Sequence, residues 1–446
     1  MSLLKSTLLI TLVFISIAGF SQQNTTHTFS IQDCINYAMK NNVQVKNALL
    51  DIAIQQQDNK ATTALALPSL NGSANYTDYL KIPTQLLPGE FFGQPAGTYV
   101  PVQFGTKYSA NGSLSLKQTL FDGQVFIGLK ARQASIDYRT RAANVTQDII
   151  KLNVYKIYYQ LVVSKTQIEQ IDANIDRSKD LLHVNSELNK NGFAEKLEVD
   201  KSEVQLANLE TEKASALNSI VNGYYGLKFL MGMPQKDSLV LTDSVTDDQL
   251  KQGLLNEGVY DYNSRNDFLA LQSSVLLNEF NVKRYKANYY PTLSLDGNYT
   301  RSGQGNNFNV FGDGQWFTSA YAGINLNVPI FNGFQKNADL KKARLQLEQS
   351  QNNLQNFKDS IDESVQRAIN DYHTAVTTLD YQKRNVTLAE SIYNQSQKKY
   401  ESGLASTLDI TNAQSDLRVA QSNYVNAKYD AVIAQIDYLY ATGQLK

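Results

Sequence analysis

The chain has 446 residues, 42% of them hydrophobic, with 41 basic against 42 acidic side chains and a formal net charge of −1. Near-neutrality leaves no basic stripe for nucleic acid, and a single cysteine, Cys34, leaves no intrachain disulfide. A compact body of this length and polarity would divide into domains with fuller cores, whereas a long hollow object with water on two faces needs none.

Residues 1–21 carry one basic residue, Lys5, then an apolar run from Leu8 to Ala18, with Gly19 and Ser21 at the minus-three and minus-one positions of a cut before Gln22. This pattern predicts a secretory signal peptide whose apolar core is too short to span a bilayer. No later stretch approaches 18 continuous apolar residues, so no transmembrane helix is expected in the mature chain. Cys34 lies too far past the apolar run to accept a lipid and reads as a small residue in the first helix.

A first repeat is expected over 22–232. After an initial helix, Leu67-Pro68-Ser69-Leu70 opens a β-hairpin over 68–121 that closes at Leu120-Phe121-Asp122-Gly123. In its second strand Tyr108, Ala110, Gly112, Leu114 and Leu116 face one way, and Ser109, Asn111, Ser113, Ser115 and Lys117 the other. The first strand, 68–81, alternates more weakly, with Leu70, Ala74, Tyr76 and Leu80 against Asn71, Ser73, Asn75 and Thr77. Pro83, Pro88, Pro95 and Pro101 fall between the two strands and mark a long loop. A long helix over 124–190 has Leu161, Ile168, Ile175 and Leu182 at seven-residue intervals, the mark of helices packed side by side. At 1.5 Å per residue it is roughly 100 Å long. It stops at Asn191-Gly192-Phe193-Ala194, where glycine suits a positive φ, and a return helix covers 195–231.

Residues 233–262 connect to a second repeat, 263–446, with the same order: a helix, a β-hairpin over 291–331, a long helix over 334–401 and a return helix over 406–441. The hairpin is entered at Tyr290-Pro291-Thr292-Leu293 and left at Ile330-Phe331-Asn332-Gly333. Leu293, Leu295, Gly297 and Tyr299 oppose Thr292, Ser294, Asp296, Asn298 and Thr300; Ala320, Ala322, Ile324, Leu326, Val328 and Ile330 oppose Ser319, Asn325 and Asn327. The loop 302–315 is rich in Gly, Asn and Asp. The long helix repeats Leu347, Leu354, Ile361 and Ala368, and its tip is Ser402-Gly403-Leu404-Ala405. Gly123 to Gly192 is 69 positions and Gly333 to Gly403 is 70, so the chain reads as a duplicated unit.

Strands apolar on one side and small-polar on the other fit a membrane β-barrel with a wet interior; the alternative is a soluble antiparallel sheet lying on a core. The signal peptide and the aromatics Phe121, Tyr290, Trp316 and Phe331 at the strand ends favour the barrel. Four strands cannot close one. Two chains give eight strands, whose interior side chains fill; three give twelve, which leaves room for water. A trimer is the smallest assembly with an open channel. The expected fold is mainly α with membrane β: a trimeric α/β-barrel with four strands and four barrel helices per chain (two long, two split or shorter), built from two internal repeats.

The signal peptide, the Leu-Pro-Ser-Leu and Tyr-Pro-Thr-Leu strand entries, the Phe-Asp-Gly and Phe-Asn-Gly strand exits, and the tips Asn191-Gly192-Phe193-Ala194 and Tyr400-Glu401-Ser402-Gly403 together resemble the TolC family of outer-membrane efflux proteins. The resemblance covers about 30–446. It implies a homotrimer with a twelve-stranded outer-membrane barrel in lipid and a twelve-helix periplasmic tunnel, with 233–262 and the termini forming an equatorial band. It also implies partners: a periplasmic adaptor docked at the tips Asn191, Gly192, Ser402 and Gly403, and an inner-membrane transporter. Carried over by position, the periplasmic gate falls on Glu198, Tyr400, Asp409 and Asn412. Asn412 stands where many relatives have a second aspartate, and Ala405 where many have a basic residue, so the charge ring and the lock between helices depart from the family pattern. Taken without the resemblance, Glu198 and Asp409 are solvated carboxylates on a helix face.

No enzyme is expected. His27, His183 and His373 lack partners at metal-ligand spacing, and no phosphate loop, nucleophile elbow or zincin motif occurs. No catalytic, cofactor or metal site is therefore expected. Two other classes remain open: a periplasmic adaptor, which normally has one helical hairpin where this chain has two, and a self-standing porin, which lacks helices of this length.

Overall fold

The computed structural model describes residues 26–251 and 260–445; the expected signal peptide lies outside them. Contacts divide the chain into two units, one comprising Met1–Leu49, Ala142–Leu269 and Asn356–Lys446, the other Leu50–Arg141 and Ala270–Gln355. The units interleave along the sequence, and the division falls within the long helices instead of between the halves of the chain.

In the second unit, β2 (Ser69–Asp78), β5 (Tyr108–Phe121), β7 (Thr292–Gly305) and β8 (Gln315–Asn327) form an antiparallel sheet in the order β2-β5-β7-β8. Residues opposite one another in an antiparallel pair share a face. Leu70 pairs with Leu116, Leu116 with Gly297, Leu295 with Ile324 and Leu293 with Leu326, which gathers the leucines on one side. Asn71 pairs with Ser115, Ser115 with Asn298 and Ser294 with Asn325 on the other. The apolar face is exposed within the chain, Leu70 at 68% and Leu326 at 62%, as a sheet that meets something other than its own core requires.

Three expectations, two of strands and one of a helix, need correction. The strand expected to run to residue 331 ends at Asn327, because Pro329 has no N–H for the ladder; Val328 and Ile330 lie beyond it. The loop between the first two strands contains its own hairpin, β3 (Thr84–Pro88) with β4 (Tyr99–Gln103), in which Pro101 is tolerated because both strands are edges. The single helix expected before the first hairpin is two, α1 (Ile31–Asn41) and α2 (Val43–Ala64). The break is at Asn42, whose side-chain Oδ1 accepts the backbone N–H groups of Gln44 and Val45 at 2.7 and 3.1 Å and so caps α2.

The first unit is helical around several small cores. The long helices are α3 (Gly123–Lys190) and α8 (Gln335–Glu401); their return partners are α4 (Lys196–Met231) and α9 (Thr407–Ala441). In α8 the buried Ile361, Val365, Ala368, Tyr372 and Leu379 alternate in steps of three, four or seven, the spacing of a coiled-coil seam. Around Cys34, Ile35, Tyr158, Leu227 and Met231 a core forms from α1, α3 and α4; burial pushes the Cys34 thiol up to about 12 and keeps it a neutral packing group. The N-terminal β1 (Thr26–Phe29) pairs in parallel with β6 (Ser238–Leu241), tying the chain start to the inter-repeat segment. A short helix, α5 (Asp247–Lys251), is anchored by buried Asp247, which accepts from Lys383 at 2.7 Å and from the Tyr424 hydroxyl at 3.0 Å. Burial alone would raise the Asp247 carboxyl; these donors and Lys428 outweigh it and hold it below the usual aspartate value. The remaining α-helices among the described residues are α6 (Asn266–Ala287) and α7 (Val310–Asp313). No described helix is long and apolar enough to cross a membrane.

Candidate functional site

The two glycine tips are built alike. Gly192 and Gly403 have φ of +77° and +71°, the left-handed conformation expected of a glycine stop. At the first tip Phe193 N–H donates to the Leu188 carbonyl at 2.8 Å; at the second Leu404 N–H donates to the Lys399 carbonyl at 2.7 Å. Nothing lies within 4 Å of a Cβ added at either glycine, so the requirement for glycine is conformational. Directly after each glycine an apolar side chain stands in solvent, Phe193 at 82% and Leu404 at 79% exposed. One turn on, Leu197 and Leu408 are exposed too. Sequence reasoning missed these two matched pairs, although each sits one and five residues after its glycine.

Above the tips, a hydrogen-bonded chain crosses four helices of the first unit. Tyr400 on α8 donates its hydroxyl to Oδ1 of Asn185 on α3 at 2.5 Å. The Asn185 amide donates to Ser202 Oγ on α4 at 2.8 Å, and Ser202 donates to the Glu198 carbonyl at 2.9 Å. From α9, Thr407 Oγ1 donates to the Tyr400 oxygen at 3.3 Å. Asn185 is wholly buried and Ser202 nearly so, and a satisfied buried polar network fixes how helices register. A second buried link lies further along, where Asn174 donates to Gln421 at 2.8 Å and Arg177 donates to Asn174 at 3.0 Å. The partner of Tyr400 was not legible in the sequence, because Asn185 is 215 positions away from it.

The carboxylates are placed differently. Asp409 is the third residue of a capping box: its Oδ2 accepts from the Ser406 N–H at 2.9 Å and the Ser406 hydroxyl at 2.7 Å. These bonds to the Ser406 side chain and backbone hold its carboxyl below the usual aspartate value. Glu198 pairs with Lys201 at 2.9 Å one turn along α4, and its side chain is half-buried. Asn412 is exposed on α9. Tyr400 and the Glu198 backbone thus share one network, while the Asp409 carboxylate is turned onto its own helix start.

Between α4 and α9 a cavity of about 210 Å³ is lined by Lys201, Asn208, Thr411, Gln414 and Arg418, with Asn174 beside them. Gln414 is 2% exposed, yet neither amide atom has a hydrogen-bond partner among the described residues. Among the described residues no group of three or more His, Cys, Asp or Glu side chains could hold a metal ion.

Residues 263–444 match the family described as outer membrane efflux protein. The chain is 22% identical to the outer membrane protein TolC of Salmonella enteritidis over 97% of this chain and 85% of that protein. It is 21% identical to the proteases secretion protein PrtF of Dickeya chrysanthemi over 97% of this chain and 91% of that one. The fold matches that of the outer membrane protein VceC of Vibrio cholerae with a TM-score of 0.72 at 16% identity, covering 93% and 96% of the two chains. The duplicated tips, the amphipathic four-stranded sheet and these likenesses agree: residues 263–444 carry the outer membrane efflux protein match, and the chain as a whole is similar to outer membrane efflux proteins of the TolC type.

Proposed function

We propose that the chain forms the outer-membrane exit duct of a tripartite efflux or secretion system, a homotrimeric channel that carries small molecules or peptides from a periplasmic adaptor and inner-membrane transporter to the exterior. The observation that carries this reading is the sheet: it is leucine-rich on one face and Asn/Ser-rich on the other, with β2 and β8 left as edges. An open edge in lipid leaves backbone groups unsatisfied, so the edges call for strands from further copies. Three copies supply twelve strands, with the leucine face to lipid and the polar face to a water-filled lumen. The work is transport, not catalysis.

In this reading the helical hairpins are a periplasmic tunnel whose gate lies at Glu198, Tyr400, Asp409 and Asn412, and adaptors dock at Asn191, Gly192, Ser402 and Gly403. The exposed Phe193, Leu197, Leu404 and Leu408 support docking, since apolar groups held in water at a turn gain from being covered. Native mass spectrometry in detergent tests the assembly, with three copies expected; a stable monomer would overturn it. Deleting the protein should abolish export while passive solute uptake is unchanged, and loss of uptake with intact export would point to a self-standing porin.

A further inference from the structure

The apolar face of the sheet changes character along its length. Near the strand ends that join α2, α3 and α6 it is aliphatic, with Leu70, Leu116, Leu295 and Leu326. Toward the loop ends the same face carries Tyr76, Tyr108, Trp316, a carboxylate, Asp78, and a cation, Arg301, the last two separated by β5 and four positions along the strands. The other β7 positions on this face, Leu293, Leu295, Gly297, Tyr299 and Gly303, are uncharged, and Asp296, the one carboxylate of β7, is on the opposite face. The cross-strand neighbours of Arg301 are Gly112 and Thr318, so neither neutralises it.

The Arg301 guanidinium lies 5.3 Å over the Trp316 ring. Gly303 makes room for that ring: a Cβ there would meet its carbon at 2.6 Å. Phe311 packs against Trp316 with centroids 5.8 Å apart, and Phe308 is held over Tyr76, whose hydroxyl donates to the Phe308 carbonyl at 2.6 Å. Phe308 and Phe311 remain 75% and 71% exposed. The result is a fixed cation among flat apolar rings.

Its height is informative. Eight residues of β7 separate Leu293 from Arg301, about 27 Å along an extended strand. A strand tilt of roughly 40° brings this to about 20 Å along the membrane normal, close to the height of the apolar band of an outer-membrane barrel, about 25 Å. Arg301 therefore stands at the rim, where lipid headgroups begin, on the side of the long loops. This placement rests on the barrel reading above.

We infer that Arg301, stacked on Trp316, binds the phosphate of a phosphorylated glycolipid in the outer leaflet. A guanidinium donates two parallel hydrogen bonds to a phosphate, and the exposed rings of Phe308 and Phe311 offer flat faces to the sugars that carry it. Aromatic rings alone would suit any interface; a cation on the lipid side with no carboxylate on either flanking strand selects an anionic headgroup.

Trp316 is the only tryptophan of the chain, so its emission reports on this site alone. The full-length protein in detergent would be titrated with a bis-phosphorylated lipid A, its dephosphorylated form and phosphatidylglycerol, with binding counted by native mass spectrometry and located by Trp316 emission. Lipid A should bind and shift the emission, and Arg301→Gln or removal of the phosphates should each weaken binding about tenfold. Phosphatidylglycerol should bind more weakly than lipid A. Equal binding by parent and Arg301→Gln, equal binding of the three lipids, or binding without a Trp316 response would each overturn the inference. Quenching of Trp316 by brominated acyl chains in bilayers tests the barrel reading separately: quenching without phosphate-dependent binding removes the headgroup site alone, and absence of quenching removes the lipid-facing assignment beneath it.

Discussion

The Tyr400 hydroxyl donates to Oδ1 of Asn185 at 2.5 Å, and this bond joins the tip of one helical hairpin to the other. Because Asn185 also donates to Ser202, one buried amide holds α3, α4 and α8 in register, and Thr407 adds α9 through the Tyr400 oxygen. A link of this kind is directional and discrete, unlike the apolar contacts around it.

Asn185→Ala should therefore lower stability by about 1–3 kcal/mol, since it takes away the acceptor of the Tyr400 hydroxyl proton and the amide that donates to Ser202 Oγ. Tyr400→Phe should cost less, and the two should be coupled by about 0.5–3 kcal/mol in a double-mutant cycle. Thermal unfolding of the detergent-solubilised assembly measures both. Additive effects would show that the pair is not energetically joined.

Asp409 has two roles that one pair of substitutions separates. Asp409→Ala removes both the capping box and a charge; Ser406→Ala removes most of the cap and leaves the charge. In single-channel recordings only Asp409→Ala should weaken cation preference and divalent block. If neither variant changes conduction, Asp409 serves the helix start alone.

The same residue sets a pH expectation. Its folded carboxyl lies below the ordinary value of 3.8, so the charged form is favoured by folding. The stabilisation is present above the unfolded value and disappears as pH falls through the lower folded one. Asp409-dependent cation preference should accordingly persist down to pH 3.8 and fail only beneath it. A midpoint above 3.8 that disappears in Asp409→Ala would contradict this.

Gly403→Val should leave assembled protein in the membrane and abolish export, because a β-branched residue resists a φ of +71° although space for it is open. Leu404→Asp should do the same without backbone strain. Drug or peptide export in cells carrying each variant is the measurement; normal export from both would remove the second tip from docking.

The sheet register predicts unequal costs on its two faces. Arginine at Ala322, which pairs with Gly297 midway between Leu293 and Arg301, should destabilise by roughly 2–4 kcal/mol, and arginine at Asn325 on the polar face should cost little. Spin labels at Leu326 and Asn325 distinguish the faces directly, and a water-exposed label at Leu326 would reverse the assignment of faces.

Much of this protein was written in local pattern. Period-two alternation fixed which residues of β5, β7 and β8 share a face, because side chains alternate strictly along a strand. Seven-residue spacing and the absence of proline marked the long helices, and glycine marked their ends, because only glycine enters the left-handed region without cost. Tertiary structure alone decided what depends on distant partners. It determined that Asn185 meets Tyr400, that Asp247 gathers Lys383 and Tyr424, that β1 finds β6, and that Gly303 lies under Trp316. Such contacts leave no periodicity behind them: a buried asparagine and a solvated one look the same in sequence until the fold brings the second helix alongside.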